Sequence, residues 1–179
     1  MQPDRRRLLV DGRSGSGKTE LAQVIAAGWP GAEAQLLRLD DFYPGWGGLA
    51  EASRLVPQIL RTGRWQSWDW AASRAGSWHE IDADRPLVVE GVGALTRGSL
   101  PLADFSIWVD LGDADRKRRA LARDGQSYAR HWDEWAAQEQ AFLQREDPRS
   151  LAGEIVDGSD TAVAAERWLS ALAAGTMEG

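Results

Sequence analysis

The sequence predicts a doubly wound α/β sandwich, three layers deep, built on a parallel sheet of roughly five strands. Two observations carry this. Short apolar, β-rich runs alternate with stretches of helical spacing along the chain. The first run leads straight into Gly12-Arg13-Ser14-Gly15-Ser16-Gly17-Lys18-Thr19, a glycine-rich turn opening onto a helical pattern. At 179 residues the chain is expected to form one domain, 1–179. A domain of that size buries roughly 70% of the surface that its unfolded chain exposes.

In chain order, residues 7–10, 35–39, 87–90, 105–111 and 154–156 read as buried parallel strands, rich in Leu, Val and Ile. Helices are expected over 20–27, 49–60, 114–123 after an Asp113 cap, about 130–145, and 161–173 after Ser159-Asp160. In the fourth of these, Trp132, Trp135, Ala136, Glu139 and Phe142 recur at helical spacing. Residues 61–80 fit neither period and read as an inserted lobe or long loop, a kind of segment that is usually functional or mobile. Ligands of doubly wound sheets gather at the carboxyl ends of the strands. That rule selects Asp11 with its loop, Asp40-Asp41 and Glu90.

The net charge of −6 argues against nucleic-acid or membrane-surface partners. The absence of cysteine removes disulfides, thiolate metal sites and cysteine nucleophiles, and fits a reducing cytoplasm. The basic start Arg5-Arg6-Arg7 precedes only three apolar residues, so neither a signal peptide nor an anchor is expected. No run approaches the ~18 apolar residues of a membrane span, and a soluble, cytoplasmic protein is expected. Of ten tryptophans, Trp46, Trp65, Trp68, Trp70 and Trp78 lie close together. They suit either a packed lobe or a stacking pocket for a planar ligand.

Residues 12–19 match the phosphate-binding pattern G-x-x-x-x-G-K-[ST]. Gly12, Gly15 and Gly17 let the backbone turn its N–H groups inward, and Ser14 and Ser16 complete the cradle. Lys18 is expected to reach the β- and γ-phosphates, and the Thr19 hydroxyl to ligate Mg²⁺. One of Asp40 and Asp41 is expected to project over the phosphates, to accept the proton of an attacking hydroxyl or to hold Mg²⁺; the alternative is a turn-forming pair. Glu90 ends an apolar strand where a second metal-side or substrate-side carboxylate belongs. Arg116, Arg119 and Arg123 share one helical face, suited to clamp a transferring phosphoryl group or else to form a solvated surface. His79 suits either a substrate hydrogen bond or a surface position, and it makes no metal cluster with the distant His131.

Together these residues resemble the uridine kinase family of P-loop kinases, within the wider group holding phosphoribulokinase and bacterial pantothenate kinase. The resemblance covers most of the chain. It rests on 12–19, on Leu39-Asp40-Asp41-Phe42-Tyr43 where that family carries Asp-x-Phe-Tyr, on Val89-Glu90-Gly91, and on the lid-like Arg116, Arg119 and Arg123-Asp124. It implies a P-loop NTPase sandwich with a lid at about 113–131 and an acceptor-binding insertion at about 43–80. It further implies ATP and Mg²⁺ as cofactors, Asp40 as the base, Glu90 at Mg²⁺ or a sugar hydroxyl, and arginines closing over ATP. Asp41 stands where serine is usual. Tyr43, Trp46, Asp69, Trp70 and His79 lie where an acceptor pocket is expected, and the Asp157-Gly158-Ser159 segment or the lid where adenine would stack.

The expected activity is ATP- and Mg²⁺-dependent phosphorylation of a hydroxyl on a small metabolite, a nucleoside such as uridine or cytidine first. A nucleoside monophosphate, pantothenate-like alcohol or sugar is the alternative, with Arg38, Arg61, Arg64 and Arg74 available to a phosphorylated acceptor. A nucleotide-dependent regulatory ATPase is a third reading. The sequence leaves homo-oligomerisation open.

Overall fold

The computed structural model describes residues 4–177, with the side chains of Asp124, Gln126 and Ser127 excluded. The end of the lid-like pattern at Asp124 and the first three residues of the chain therefore lie outside the described side chains. In order, the elements are β1 (Arg7–Asp11), α1 (Lys18–Ala27), β2 (Gln35–Arg38), α2 (Leu49–Thr62), β3 (Arg64–Asp69), β4 (Arg74–Glu80) and β5 (Leu87–Glu90). They continue with β6 (Phe105–Asp110), α3 (Asp113–Ala129), α4 (Trp132–Glu146), α5 (Pro148–Leu151), β7 (Glu154–Asp157) and α6 (Thr161–Ala174). Single 3₁₀ turns cover Leu39–Asp41 and Leu100–Leu102.

Five strands form one parallel sheet in the order β2-β5-β1-β6-β7. Strand β1 is central, and the chain reverses its direction of travel across the sheet there, which opens a crevice at the carboxyl end of β1. Successive strand residues point to opposite faces and separate two cores. Leu9, Leu37 and Val89 face α2 and α4 through Val56, Ile59, Leu60 and Phe142. Leu8, Val10, Val88 and Val109 face α1 and α6 through Leu21, Ile25, Trp168 and Leu172. The three-layer sandwich expected from the alternation is therefore present, with all five expected strands and five expected helices in place.

Three details differ. Residues 61–80 are not irregular: β3 and β4 form an antiparallel hairpin. Its register shifts between Gln66 and Trp68, and this bulge breaks the alternation by which a strand is recognised. Helix α3 runs on to Ala129, past the expected end at 123, but Gly125 (φ 64°, ψ −152°) is non-helical inside it. Asp113 does not cap the backbone from outside; it is the first helical residue, and its carboxylate binds the Arg116 guanidinium. The cap of α6 is as expected, with the Asp160 carboxylate accepting the Val163 N–H. No described helix is long and apolar enough to cross a membrane.

Trp168 locks α6 to the sheet. It is buried, packs 5.4 Å from Trp29 and meets Phe105 edge-on at 5.6 Å. Trp168→Ala leaves a cavity that this rigid layer cannot close, so we expect it to cost about 3–5 kcal/mol in guanidinium unfolding.

Candidate functional site

The phosphate loop leaves β1 and enters α1, with Lys18 as the first helical residue, so unpaired N–H groups and the positive end of the helix face the crevice. Gly15 (φ 78°) and Gly17 (φ 98°) occupy left-handed backbone. A side chain at Gly15 would also collide with the carbonyl of Arg116. Gly158, after β7, approaches the back of the loop so closely that a Cβ would strike the Ser16 carbonyl.

A cavity of about 990 Å³ opens over this loop. Ser14, Gly15, Gly17, Lys18 and Thr19 form its floor, and Arg119, Arg123 and the Gly158–Thr161 stretch form one wall. The opposite wall holds Arg38, Asp40 and the aromatic rings of Tyr43, Trp46, Trp70, Tyr128 and Trp135. Gly12 and Ser16 lie behind the loop and do not line the cavity. The Ser16 hydroxyl is buried, with no partner among the described residues.

Three acids stand at the strand ends in different environments. Asp40 sits on the 3₁₀ turn after β2 and faces the cavity, its side chain about 57% exposed. The Trp70 indole donates to its backbone carbonyl (2.9 Å), which fixes the turn. Asp41 does not line the cavity; burial raises its pKa, with Arg38 and His79 pulling it down. Glu90 is buried at the end of β5, where it accepts the Thr19 hydroxyl (3.2 Å) and Arg38 Nε (3.3 Å). Burial raises the Glu90 pKa against the opposing pull of Lys18 and Arg38. The Thr19 hydroxyl, the Glu90 carboxylate and the nearby Asp40 carboxylate form an all-oxygen set that fits a hard divalent cation completing its shell with phosphate oxygens and water.

Asp11 is wholly enclosed beneath the loop. Its carboxylate accepts the N–H groups of Gly12 (2.7 Å), Gly93 (3.1 Å) and Leu95 (2.9 Å). It ties the loop to the segment after β5, a fastening rather than a ligand position.

Helix α4 holds the loop from the outside, a role the sequence reading missed. Glu139 is about 1% exposed, accepts the Ser14 N–H (2.8 Å) and pairs with Arg13 Nε (3.0 Å). Trp135, one turn earlier, donates its indole N–H to the Ser14 hydroxyl (2.9 Å). The available signal was an acid at an apolar-face position, since Glu139 falls in the stripe Trp132, Trp135, Ala136, Phe142.

Several expected positions are redistributed. Arg116 does not point into the cavity with Arg119 and Arg123. It is buried behind the loop, where its guanidinium donates to the carbonyls of Leu111 (3.1 Å) and Ser14 (3.1 Å) and to Asp113. The sequence spacing placed all three arginines on one face, but the outer arm of the loop covers the first of them. Arg119 reaches the cavity and donates to the Gly158 carbonyl (2.7 Å). Tyr43 and Trp70 line the cavity, whereas Asp69 and His79 do not. Asp69 accepts the Ala72 N–H in the hairpin turn, and His79 stacks on Trp65 at 4.4 Å. Of Arg38, Arg61, Arg64 and Arg74, only Arg38 lines the cavity. Gly158 and Ser159 line it as well, while Asp157 turns aside to accept the Ser159 N–H.

Comparison with known proteins gives the fold a context. No protein-family model matches the chain, and no curated protein matches it by sequence. Solved structures do match. They include a possible uridine kinase from Bacillus stearothermophilus (TM-score 0.56, 18% identity, 88% of this chain and 91% of that one). A sugar kinase from Janibacter sp. HTCC2649 matches at TM-score 0.54 and 17% identity, over 94% of this chain and 95% of that one. A gluconokinase from Sinorhizobium meliloti 1021 matches at TM-score 0.52 and 17% identity, over 97% and 98%.

Removing Glu139 strands the buried Ser14 N–H and leaves Arg13 and Arg116 sharing Asp113 alone among the described carboxylates, so Glu139→Ala should cost about 3–5 kcal/mol in chemical denaturation. Glu139→Gln keeps an acceptor for Ser14 and should cost clearly less. A second expectation concerns Asp11, whose burial pushes its pKa from 3.8 up to about 7, against its N–H donors and Lys18. A raised carboxyl pKa stabilises the fold fully below the unfolded value, and the contribution is lost as pH rises through about 7. The melting temperature should therefore lose this contribution between about pH 4 and pH 7 and level off above, with a flatter slope in Asp11→Asn, read by scanning calorimetry. The sheet order, the phosphate loop and these structural matches together give the chain a P-loop three-layer fold similar to that of these solved structures.

Proposed function

We propose that the protein is a Mg²⁺- and ATP-dependent kinase that transfers a phosphoryl group to a hydroxyl of a small metabolite, with a nucleoside such as uridine or cytidine as the first acceptor to try. One observation carries the reading. Asp40, at the end of β2, and the floor of the phosphate loop open onto the same cavity, whose wall beside Asp40 is aromatic. A switch that only hydrolyses nucleotide requires no such wall, and the named kinases of similar fold support an acceptor there.

Phosphoryl transfer needs positioning and charge neutralisation more than covalent chemistry. The loop N–H groups and Lys18 hold the phosphates, and Arg119 and Arg123 stand across the cavity to balance charge on the transferring group. Thr19 and Glu90, with Asp40, would hold Mg²⁺, which when bound neutralises charge on the phosphates. Asp40 is the acid of its pair that faces the cavity, and it orients the acceptor hydroxyl and takes its proton. Arg38, shared between Glu90 and Asp40, keeps the two carboxylates apart in charge. The aromatic wall suits a planar base or the apolar face of a sugar. Cytoplasmic location and the absence of nucleic-acid and membrane partners belong to this proposal.

The test is incubation with Mg·ATP and a panel of nucleosides, nucleotides, sugars and pantothenate, with mass spectrometry of every acceptor. A phosphorylated product is expected with the wild type, none above background with Lys18→Ala, and at least a hundredfold less with Asp40→Asn. Near-normal turnover in Lys18→Ala would sink the assignment.

A further inference from the structure

Trp135 belongs to both halves of the candidate site. Its indole N–H holds the Ser14 hydroxyl of the phosphate loop at 2.9 Å, while its ring forms part of the aromatic wall facing the cavity. The ring meets Tyr43 edge-on at 4.8 Å and Trp46 edge-on at 6.5 Å. Trp46 meets Trp70 at 5.3 Å, and the Trp70 indole N–H ends the line on the backbone carbonyl of Asp40. Packed rings and two indole hydrogen bonds thus connect the phosphate loop to the turn carrying the candidate base.

The same helix grips both ends. Glu139 binds the Ser14 N–H, and Gln138 binds the Trp46 carbonyl (2.7 Å) and the Leu49 N–H (3.3 Å). Ser14 lies on the floor of the cavity, and its N–H, hydroxyl and carbonyl are all held, by Glu139, Trp135 and Arg116 respectively, so a displacement of Ser14 is felt by all three. The ring contacts from Trp135 through Trp46 to Trp70 give such a displacement a route to the Asp40 turn.

We propose that Trp135 is a positioning residue that couples occupancy of the phosphate loop to the placement of the aromatic acceptor wall. This rests on the kinase reading, since it supposes that a nucleotide phosphate is what occupies the loop. Nucleotide binding shifts Ser14, Ser14 shifts the Trp135 indole, and Trp46 and Trp70 follow. The acceptor then meets its final wall only when the donor is in place, which disfavours idle hydrolysis.

The proposal is tested by ¹⁹F NMR on protein labelled with 5-fluorotryptophan, the Trp46 and Trp70 lines being assigned with Trp46→Phe and Trp70→Phe. Mg·AMP-PNP is titrated to saturation, followed in parallel by calorimetry, in wild type, Trp135→Phe and Ser14→Ala. Trp135→Phe keeps a ring but loses the N–H; Ser14→Ala removes one oxygen and leaves the packing intact. Both lines should move in the wild type, and by less than half as much in either variant at saturation. Lines that stay fixed in the wild type despite a binding heat, or that move equally in both variants, overturn the proposal and leave the kinase reading standing. No binding heat in the wild type overturns the kinase reading, and the proposal with it.

Discussion

A glycine-rich loop suited to meet several phosphate oxygens at once needs its amides held close to their final positions beforehand, so that only a small adjustment is left for binding. Here that requirement is met from behind by the buried carboxylate of Glu139, which holds the Ser14 N–H and the Arg13 guanidinium. Arg116 takes the Ser14 carbonyl, and Asp11 takes the Gly12 N–H from below. Every polar group of Ser14 is thereby held by a neighbouring side chain, while Lys18 and the first turn of α1 face into the cavity. The charges are arranged for the same end. Glu139, placed beside a site meant for anions, lies between Arg13 and Arg116, so its charge is met locally and does not oppose a phosphate.

That fastening also explains why α3 and α4 lie where they do. Helix α3 brings Arg116 under the loop and, one turn later, Arg119 onto the cavity, so a single helix both anchors the loop and supplies a cation above it. Gly125 then breaks the helix, and the chain reaches α4 through a short turn at His131. His131 stacks flat on Trp46 at 4.4 Å, so the turn between the two helices also supports the aromatic wall. The wall and the loop are consequently built on the same two helices rather than on independent parts of the fold.

The layers of the fold were legible in the sequence because they rest on local signals. Apolar runs of four to six residues between glycine-rich turns mark strands buried on both faces, and the phosphate loop fixes which strand is central in function. The hairpin was not legible, because its bulge shifts the period between Gln66 and Trp68. Of the expected positions, those close in sequence to the loop or to a strand end come together in the fold, Lys18, Thr19 and Asp40 on the cavity and Glu90 bonded to Thr19. Roles set by long-range packing were not. Arg116 and Arg119 differ by three positions on one helix, and only the folded chain shows that the loop covers one and leaves the other on the cavity. Glu139 carried a signal of its own, an acid among tryptophans and a phenylalanine, but its partner lies 125 residues away.

The site thus divides into a part with little freedom and a part with much. The proposed phosphate, cation and base positions all lie at or beside strand ends of one rigid sheet, where a shift of one residue in register would turn a side chain to the other face. The acceptor wall is drawn instead from the segment between β2 and β5 and from α3 and α4, where Trp46, Trp70, Tyr128 and Trp135 meet without any sheet register to hold them. On the proposed reading, a change of acceptor can therefore proceed by exchanging rings in that wall while the proposed reacting groups stay in place. The Trp70 bond to the Asp40 carbonyl limits this freedom, because any replacement at that position must still steady the turn on which the candidate base rides.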